Sequence, residues 1–456
     1  MEALMKATQL FTDPTHSLSP RDLYPTERVP GARLLVPCAP AVTDFLGLGV
    51  AITPSACHEL QKMEPAERTT LLTHLYGKDG LGLSVGRICI GSSDYSPELY
   101  SYDDVPFDTA LTHFSVERDE AYIIPTLREI LQIRPDLFLL ASPWSPPAWM
   151  KTGGRMCGGY MREEFLECYA DYIVKFIESY AKRGIHISAV TPQNEVNTQQ
   201  AGRMPACIWH PELEAKFICL LKRRLLEHRL DTRIWAYDHN FNATERVLWS
   251  LENCPGLQEA CDGIAFHYYG GAIEETRAIA NAYPSLALHF TEGGPRLNDH
   301  YTNDWCKWGL MMARAFKVGY RSFCGWNLML DETGGPVIGP FGGVCGGLVT
   351  RDTRNGELTF SGQYQAYRHV SPYLTPGAKI CYLGEGESAG IAMSKYPRVQ
   401  DPIEGLLITS PKGTAAAVLI NPNEQAVQAQ VEQNGSLWYA DLPANSISTL
   451  LLSQES

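Results

Sequence analysis

Two glutamates stand where a proton donor and a nucleophile can face each other. Glu195 lies in TPQNEVN, directly after the apolar run HISAV, and Glu292 lies in HFTEGG, after the apolar residues of LALHF. A carboxylate at the end of a buried strand costs free energy unless it is neutralised, paired or used. Two carboxyls ~5–5.5 Å apart, one holding a proton and one ionised, can cleave a glycosidic bond with retention. The first protonates the leaving oxygen while the second attacks the anomeric carbon.

Other chemically capable residues follow apolar runs in the same way. Arg87 and Asp94 come with LGLSVGRICI, and Trp144 closes DLFLLASPW. Asn194 precedes Glu195, Asp238, His239 and Asn240 close TRIWAYDHN, and His267, Tyr268 and Tyr269 close DGIAFHYY. Trp326 and Asn327 lie in SFCGWNLML. The flat faces of Trp144, Trp326, Tyr268 and Tyr269 suit the C–H side of a pyranose. Arg87, Asp94, Asn194 and His267 can fix its hydroxyls, a composition usual in small-ligand sites. Each residue alone has an ordinary reading: a salt-bridged glutamate, a core tryptophan, a satisfied histidine. Asp238-His239-Asn240 reads as a strand terminus with capping residues. The ordered set argues for chemistry.

The elements that carry these residues alternate. Eight β-type runs, DFLGLGVAI, LGLSVGRICI, DLFLLASPW, HISAVTPQN, TRIWAYDH, DGIAFHYY, LALHFTEGG and SFCGWNLML, are separated by helical stretches. Their near-continuous hydrophobicity fits parallel strands buried on both faces. In REEFLECYADYIVKFIESYAKRG, the residues Phe165, Tyr169, Tyr172, Ile173, Phe176, Ile177 and Tyr180 recur at helical spacing, and Gly184 is a helix stop. Eight such units predict an α/β chain built on a (β/α)8 TIM barrel, typically ~250 residues, with its chemistry at the C-terminal strand ends. Strands 4 and 7, which end in the two glutamates, then lie roughly across the mouth. A doubly wound sheet lacks support, because no GxGxxG follows the first strand.

From about residue 375 the pattern changes to short β-like runs between turn residues: GIAMSKY, EGLLITS, GTAAAVLINP, AVQAQVEQ, GSLWYADLP and SISTLLL. They predict an antiparallel β-sandwich, completed by KATQLF and ARLLVP near the start of the chain. The expected organisation is 1–44 as N-terminal strands of the sandwich, 45–374 as barrel and 375–456 as the rest of the sandwich.

The chain has 456 residues, 45% of them hydrophobic, and a net charge of -13. That balance excludes a nucleic-acid or anionic-membrane surface, which needs clustered cations. No run reaches the ~18–20 apolar residues of a membrane span. The 13 cysteines are odd in number and without a CxxC pair, which predicts free thiols in a reducing compartment. The opening MEALMKATQLFTDPTH lacks the charged start and apolar core of a secretory signal, so a cytoplasmic location is expected. The expected partner is a small-molecule β-glycoside, with no cofactor and no metal; a homo-oligomer is left open. A metal-dependent barrel hydrolase using Asp238, His239, His267 and Glu292 is a rival, weakened by the absence of HxH spacing. A non-catalytic sugar-binding protein has no use for both glutamates.

These motifs give the chain its resemblance. It resembles glycoside hydrolase family 30, a clan A group of retaining β-glycosidases containing lysosomal glucosylceramidases and fungal-type β-1,6-glucanases. The likeness runs from about Gly47 to Gly377 through LSVGRICIGSSDYS, ASPWSPPAWMKT, SAVTPQNEVN, FHYYGG, HFTEGG and GWNLMLDETGGP. It implies Glu195 as acid/base and Glu292 as nucleophile. It further implies that Asn194 holds the sugar 2-hydroxyl and that Arg87 supports the surroundings of Glu292. Asp94, Trp144 and Trp326 would line the subsite of the non-reducing sugar, and His267 and Tyr269 would sit beside Glu292. Three stretches depart from the family pattern: Val196 replaces a common Pro, Gly293 and Gly294 follow the nucleophile, and Val337 to Phe341 form an apolar stretch where a polar one is usual. The resulting expectation is an exo-acting, β-glucosidase-like enzyme working by double displacement and accepting 6-deoxy or xylo sugars. The rival within the family is an endo-β-1,6-glucanase.

Overall fold

The computed structural model of the chain describes residues 7–385 and 402–452. Eight parallel strands close into a barrel in chain order: β1 Gly47–Ala51, β2 Val85–Ile90, β3 Phe138–Pro143, β4 Ala189–Val190, β5 Arg233–Asn240, β6 Gly263–His267, β7 Ala287–Glu292 and β8 Tyr320–Gly325. Each of the eight predicted runs supplies one. β2 and β6 are buried at every position, which is why their sequences show no alternation. Inside the barrel, below the site, Trp235 stacks on Phe138 at 5.5 Å and on His289 at 3.5 Å. Burial holds the His289 imidazole neutral, with its pKa lowered to about 3. Outside, the helix Leu166–Ala181 buries Tyr169, Tyr172, Ile173, Phe176, Ile177 and Tyr180, the predicted stripe. Gly184, at φ +78°, takes the left-handed turn beyond it.

One expectation changes. SFCGWNLML is not a single strand: β8 stops at Gly325, and Asn327 turns the chain with φ +60°. Met329–Asp331 then joins Val349–Arg351 and Leu358–Phe360 in a separate three-stranded sheet before the helix Gly362–Val370. This excursion after β8 forms one wall of the barrel mouth.

The two ends of the chain meet in a ten-stranded sheet, where Ala7–Asp13 pairs antiparallel with Ser446–Leu452. The strand Arg33–Val42 pairs antiparallel with Lys379–Gly384 over its later part and parallel with Val427–Gln433 at its start. It thereby passes from one face to the other, and the two faces enclose Leu35, Leu407, Leu419, Val431, Trp438 and Leu450. The run GIAMSKY lies outside the described residues. His16–Leu23 is a strand the sequence reading passed over, because its mostly exposed HSLSPRDL is that of an edge.

The barrel docks on this sheet through the helix Trp305–Val318. Trp305 Nε1 donates to the Asn445 carbonyl at 2.9 Å. A side chain at Gly309 would meet Ile420 at 2.9 Å, so the glycine lets the two surfaces approach without displacing that side chain. Arg314 Nη2 reaches Glu404 Oε1 at 2.5 Å, and the Tyr382 hydroxyl donates to Glu404 Oε2 at 3.0 Å. Among the described residues, no helix is long and apolar enough to cross a membrane.

Breaking a buried ion pair on one side strands the other charge, at a cost of about 3–5 kcal/mol. Arg314→Leu is therefore expected to lower the thermal unfolding midpoint by several degrees. A melt coincident with wild type would show that the dock does not depend on this pair.

Candidate active site

The site is built on a fully buried arginine. Arg87, on β2, has no exposed surface. Its guanidinium donates through Nη1 to Glu292 Oε2 at 2.5 Å and through Nη2 to Asp238 Oδ2 at 2.8 Å. Nη2 also reaches Asn194 Oδ1 at 2.7 Å, and Nε donates to Ser142 Oγ at 3.3 Å. Trp144 and Trp326 stack on each other at 5.3 Å and flank this cation, with Cζ 4.8 and 5.6 Å from the ring centroids.

Asp238 is the carboxylate the sequence reading took for a strand terminus with caps. It is instead the buried anionic hub. Besides Arg87 it accepts from Ser142 Oγ at 3.0 Å, Thr191 Oγ1 at 2.8 Å, Thr291 Oγ1 at 2.6 Å and His267 Nε2 at 3.0 Å. Burial alone would raise its pKa, but the charges of Arg87 and His267 and these hydrogen bonds hold it far below the usual carboxylate range. Register shifts at the ends of β5 and β6 and left-handed Tyr237 and Asp238, at φ +76° and +59°, turn these side chains inward. Bulges commonly re-aim side chains beside active sites.

Glu292 ends β7 with both oxygens occupied. Arg87 holds Oε2, and the Tyr269 hydroxyl donates to Oε1 at 2.9 Å. Glu195 follows β4 in a left-handed conformation at φ +54°. Its Oε1 lies 3.4 Å from His239 Nε2 and 3.6 Å from His267 Nδ1, and its Oε2 accepts from Gln200 Nε2 at 2.5 Å. Ligand atoms of Glu195, His267 and Glu292 lie within 4.8 Å of one another, so the two carboxyls face each other closely. Burial opposes charging of His267, but Glu292 and Asp238 outweigh it and raise its pKa to about 9. These surroundings favour the protonated His267 imidazole, and the imidazoles of His239 and His267 hold Glu195 below the usual range against its burial. These three ligand atoms make a poor cation site, since the Arg87 guanidinium already supplies the positive charge on Glu292.

A cavity of about 570 Å³ opens over the pair. Of the residues singled out from sequence, Asp94, Trp144, Asn194, Glu195, His239, Asn240, Tyr269, Glu292 and Trp326 line it. Arg87 and His267 do not: both are fully buried and touch the residues that do, Arg87 reaching Asn194 and Glu292 and His267 lying beside Glu195. Tyr268, weighed as a platform, turns away and donates to the Gly294 carbonyl at 3.1 Å. Asp94 is 5% exposed and its Oδ1 has no partner. Burial raises its pKa well above the ordinary value, and Glu292 and Glu195 add to that. A sugar hydroxyl would satisfy it.

Another wall was read from sequence only in part, through the apolar stretch Val337 to Phe341. Met204, Pro340, Phe341, Val344 and Cys345 face the cavity, with Arg203 and Arg296 beside them. Val337, Phe341 and Cys345 pack on the cluster of Tyr95, Trp144, Met204 and Trp326. The signal for Phe341 was present in the apolar stretch after GGP. Nothing in the sequence marked Gln200 or Arg203.

Residues 45–339 match the model of the glycosyl hydrolase family 30 TIM-barrel domain. Among curated proteins, the chain is 27% identical over 427 residues to an endo-1,6-β-D-glucanase of Neurospora crassa, covering 89% of this chain and 85% of that one. It is 25% identical over 410 residues to the lysosomal acid glucosylceramidase of Mus musculus, covering 84% and 75%. Among solved structures, SrfJ from Salmonella typhimurium superposes with a TM-score of 0.87 at 27% identity, covering 99% of this chain and all of that one. An endo-β1,6-glucanase superposes with a TM-score of 0.83 at 26% identity, covering 98% and 100%.

Asp238→Asn is expected to destabilise the fold by about 3–5 kcal/mol, because it leaves Arg87 undercompensated in the interior. The sign of the pH effect follows from the depressed pKa. The contribution of Asp238 is fully present above the unfolded value of about 3.9 and is lost as pH falls below it toward the folded value. Chemical denaturation between pH 3 and 7 should show the wild type losing stability below about pH 4 and the variant losing less. Parallel curves would remove Asp238 from this role.

Proposed function

The chain belongs to glycosyl hydrolase family 30, and on that footing we propose that it cleaves β-glycosidic bonds by double displacement, with Glu195 as acid/base and Glu292 as nucleophile. The observation that carries this reading is the pair itself: an oxygen of each carboxyl lies within 4.8 Å of the other, close to the ~5–5.5 Å spacing of retaining enzymes and well short of the ~6.5–9.5 Å of inverting ones. Arg87 and Tyr269 hold Glu292 from both oxygens. In the first step Glu292 attacks the anomeric carbon as Glu195 gives its proton to the departing oxygen. In the second, water attacks the same carbon, Glu195 takes its proton, and Glu292 leaves. Asn194, fixed by Arg87 at 2.7 Å, presents its amide to the sugar 2-hydroxyl. Asp94 and the faces of Trp144 and Trp326 hold the rest of the ring.

The named relatives include endo-1,6-β-glucanases from Neurospora crassa and Trichoderma harzianum and a solved endo-β1,6-glucanase. They support internal cleavage of a β-1,6-linked glucan better than the exo-acting reading expected from sequence. A second reading keeps one observation. In a β-1,6 chain the sugar in the glycone subsite continues through O6, and the Val337 to Phe341 stretch sets an apolar wall against that subsite. Such a wall favours an exo-acting enzyme on terminal sugars with a small or apolar C5 substituent, a 6-deoxy sugar or xylose included. An apolar pocket discriminates only weakly against an added hydroxyl.

One set of assays separates the readings. On a linear β-1,6-glucan, the endo reading expects a ladder of short oligosaccharides early in the reaction; release of monosaccharide alone would shift the assignment to exo action. On aryl β-glycosides, comparable rates for the glucoside and the 6-deoxyglucoside would favour the second reading. Glu292→Gln should abolish turnover of every substrate, and survival of its activity would remove Glu292 as nucleophile. Exhaustive chelation should leave the rate unchanged; a loss restored by a divalent cation would revive the metal-dependent alternative.

A further inference from the structure

Glu195 needs a strong tendency to give up its proton in the first step and must hold its orientation through both. Its Oε1 faces the imidazoles of His239 and His267, at 3.4 and 3.6 Å. Its Oε2 faces Gln200 Nε2 at 2.5 Å, a neutral amide that can only donate through nitrogen and does not titrate. Among the described residues, the Gln200 amide bonds Glu195 and nothing else.

The backbone that delivers this amide is unusual. Gln200, Ala201 and Gly202 are consecutively left-handed, at φ +49°, +52° and +68°. Only the glycine adopts that region freely, and strained non-glycine residues persist where the surroundings over-determine them. Here the restraints are local. Thr198 N donates to the Glu195 carbonyl at 3.2 Å, Thr198 Oγ1 accepts from Gln200 N at 3.2 Å, and Gly202 N donates to the Gln199 carbonyl at 2.8 Å. Glu195 and the amide that caps it thus belong to one short turn, anchored at the end of β4.

We propose that Gln200 is a positioning residue for the acid/base: its N–H fixes the Glu195 carboxyl and stabilises the carboxylate that forms as the proton moves to the leaving oxygen. This rests on the reading of Glu195 as acid/base. The amide transfers no proton itself. The proton leaves the Glu195 carboxyl, the glycosidic C–O bond breaks, and the negative charge appears on Glu195 where Gln200 already points. A hydrogen bond to the charged form favours that form, so Gln200 makes Glu195 a stronger acid. The benefit matters only when the leaving oxygen needs a proton to depart.

The test compares leaving groups. Rates of wild type, Gln200→Leu and Gln200→Glu are measured at the pH of maximal activity on an alkyl β-glucoside and on the 2,4-dinitrophenyl β-glucoside. Gln200→Leu is expected to reduce kcat about tenfold or more on the alkyl glycoside and to leave the activated one within about twofold. The basic limb of the kcat/KM profile should move to higher pH, and further in Gln200→Glu, which sets a like charge beside Glu195. The other groups facing Glu195, His239 on β5, His267 on β6, Glu292 on β7 and Asp94 after β2, are the same in all three proteins, so the displacement reports Gln200. An equal loss on both substrates with an unmoved limb would assign Gln200 a structural role and overturn the proposal. Unchanged rates on both would overturn it as well. Glu195→Gln is run alongside: if it shows no leaving-group dependence, the acid/base assignment fails and this inference falls with it. If it does and Gln200→Leu does not, only this inference falls.

Discussion

Everything at the barrel mouth is arranged around the requirement to bury the Arg87 guanidinium. A cation without exposed surface needs compensating charge and a full set of acceptors, because desolvation is not repaid by Coulomb attraction alone. Arg87 finds them on four different strands or strand ends: Ser142 on β3, Asn194 after β4, Asp238 on β5 and Glu292 on β7. Meeting that demand places the residues proposed to carry the chemistry within reach of one another. The two tryptophan faces complete the arrangement by screening the cation from water.

Asp238 is the second half of the same constraint. It accepts five hydrogen bonds, and through His267, which lies 3.6 Å from Glu195, it connects the anionic hub to that carboxyl. The carboxylates therefore sit in distinct environments. Asp238 is locked in its charged form, Asp94 is pushed toward its neutral one, and Glu195 is held below the usual range by the imidazoles beside it. Separating the behaviour of like groups by environment is how one site can run acid and base steps together. The energetic weight of the network lies in the barrel interior, whereas the features bearing on substrate choice lie in the excursions after β4 and β8.

Those excursions separate the two functional readings. The polar side of the cavity, built from strand ends, fits a β-glycoside whatever its linkage. The apolar side comes from the stretch after β8, and it bears on what the C5 substituent of the bound sugar can be. Relatives named as endo-1,6-β-glucanases support one answer, and the composition of this wall supports another. Both follow from the same pair of carboxyls.

The barrel was legible because parallel strands buried on both faces leave uninterrupted apolar runs, and eight of them alternate with amphipathic helices such as the one carrying Tyr169, Tyr172 and Phe176. The positions of Glu195 and Glu292 were legible for a related reason: a carboxylate closing an apolar strand is expensive unless it has a use. What one chain could not disclose is which polar residues face a ligand and which face each other. Arg87 and His267, read as sugar contacts and, by resemblance, as neighbours of Glu292, are the latter only and lie buried outside the cavity lining, and Asp238 read as a cap but anchors the charge network. Tyr268 and Tyr269 are adjacent in sequence yet point apart, one into the core and one onto Glu292. The break at Asn327 and the left-handed turn at Gln200 and Ala201 left no periodic trace, because backbone turned by local hydrogen bonds and packing does not repeat. Sequence by itself determined the barrel and where its chemistry could sit, since burial is written residue by residue. The partnering of the charges was decided by tertiary structure alone, since it depends on strands far apart in the chain converging on one guanidinium.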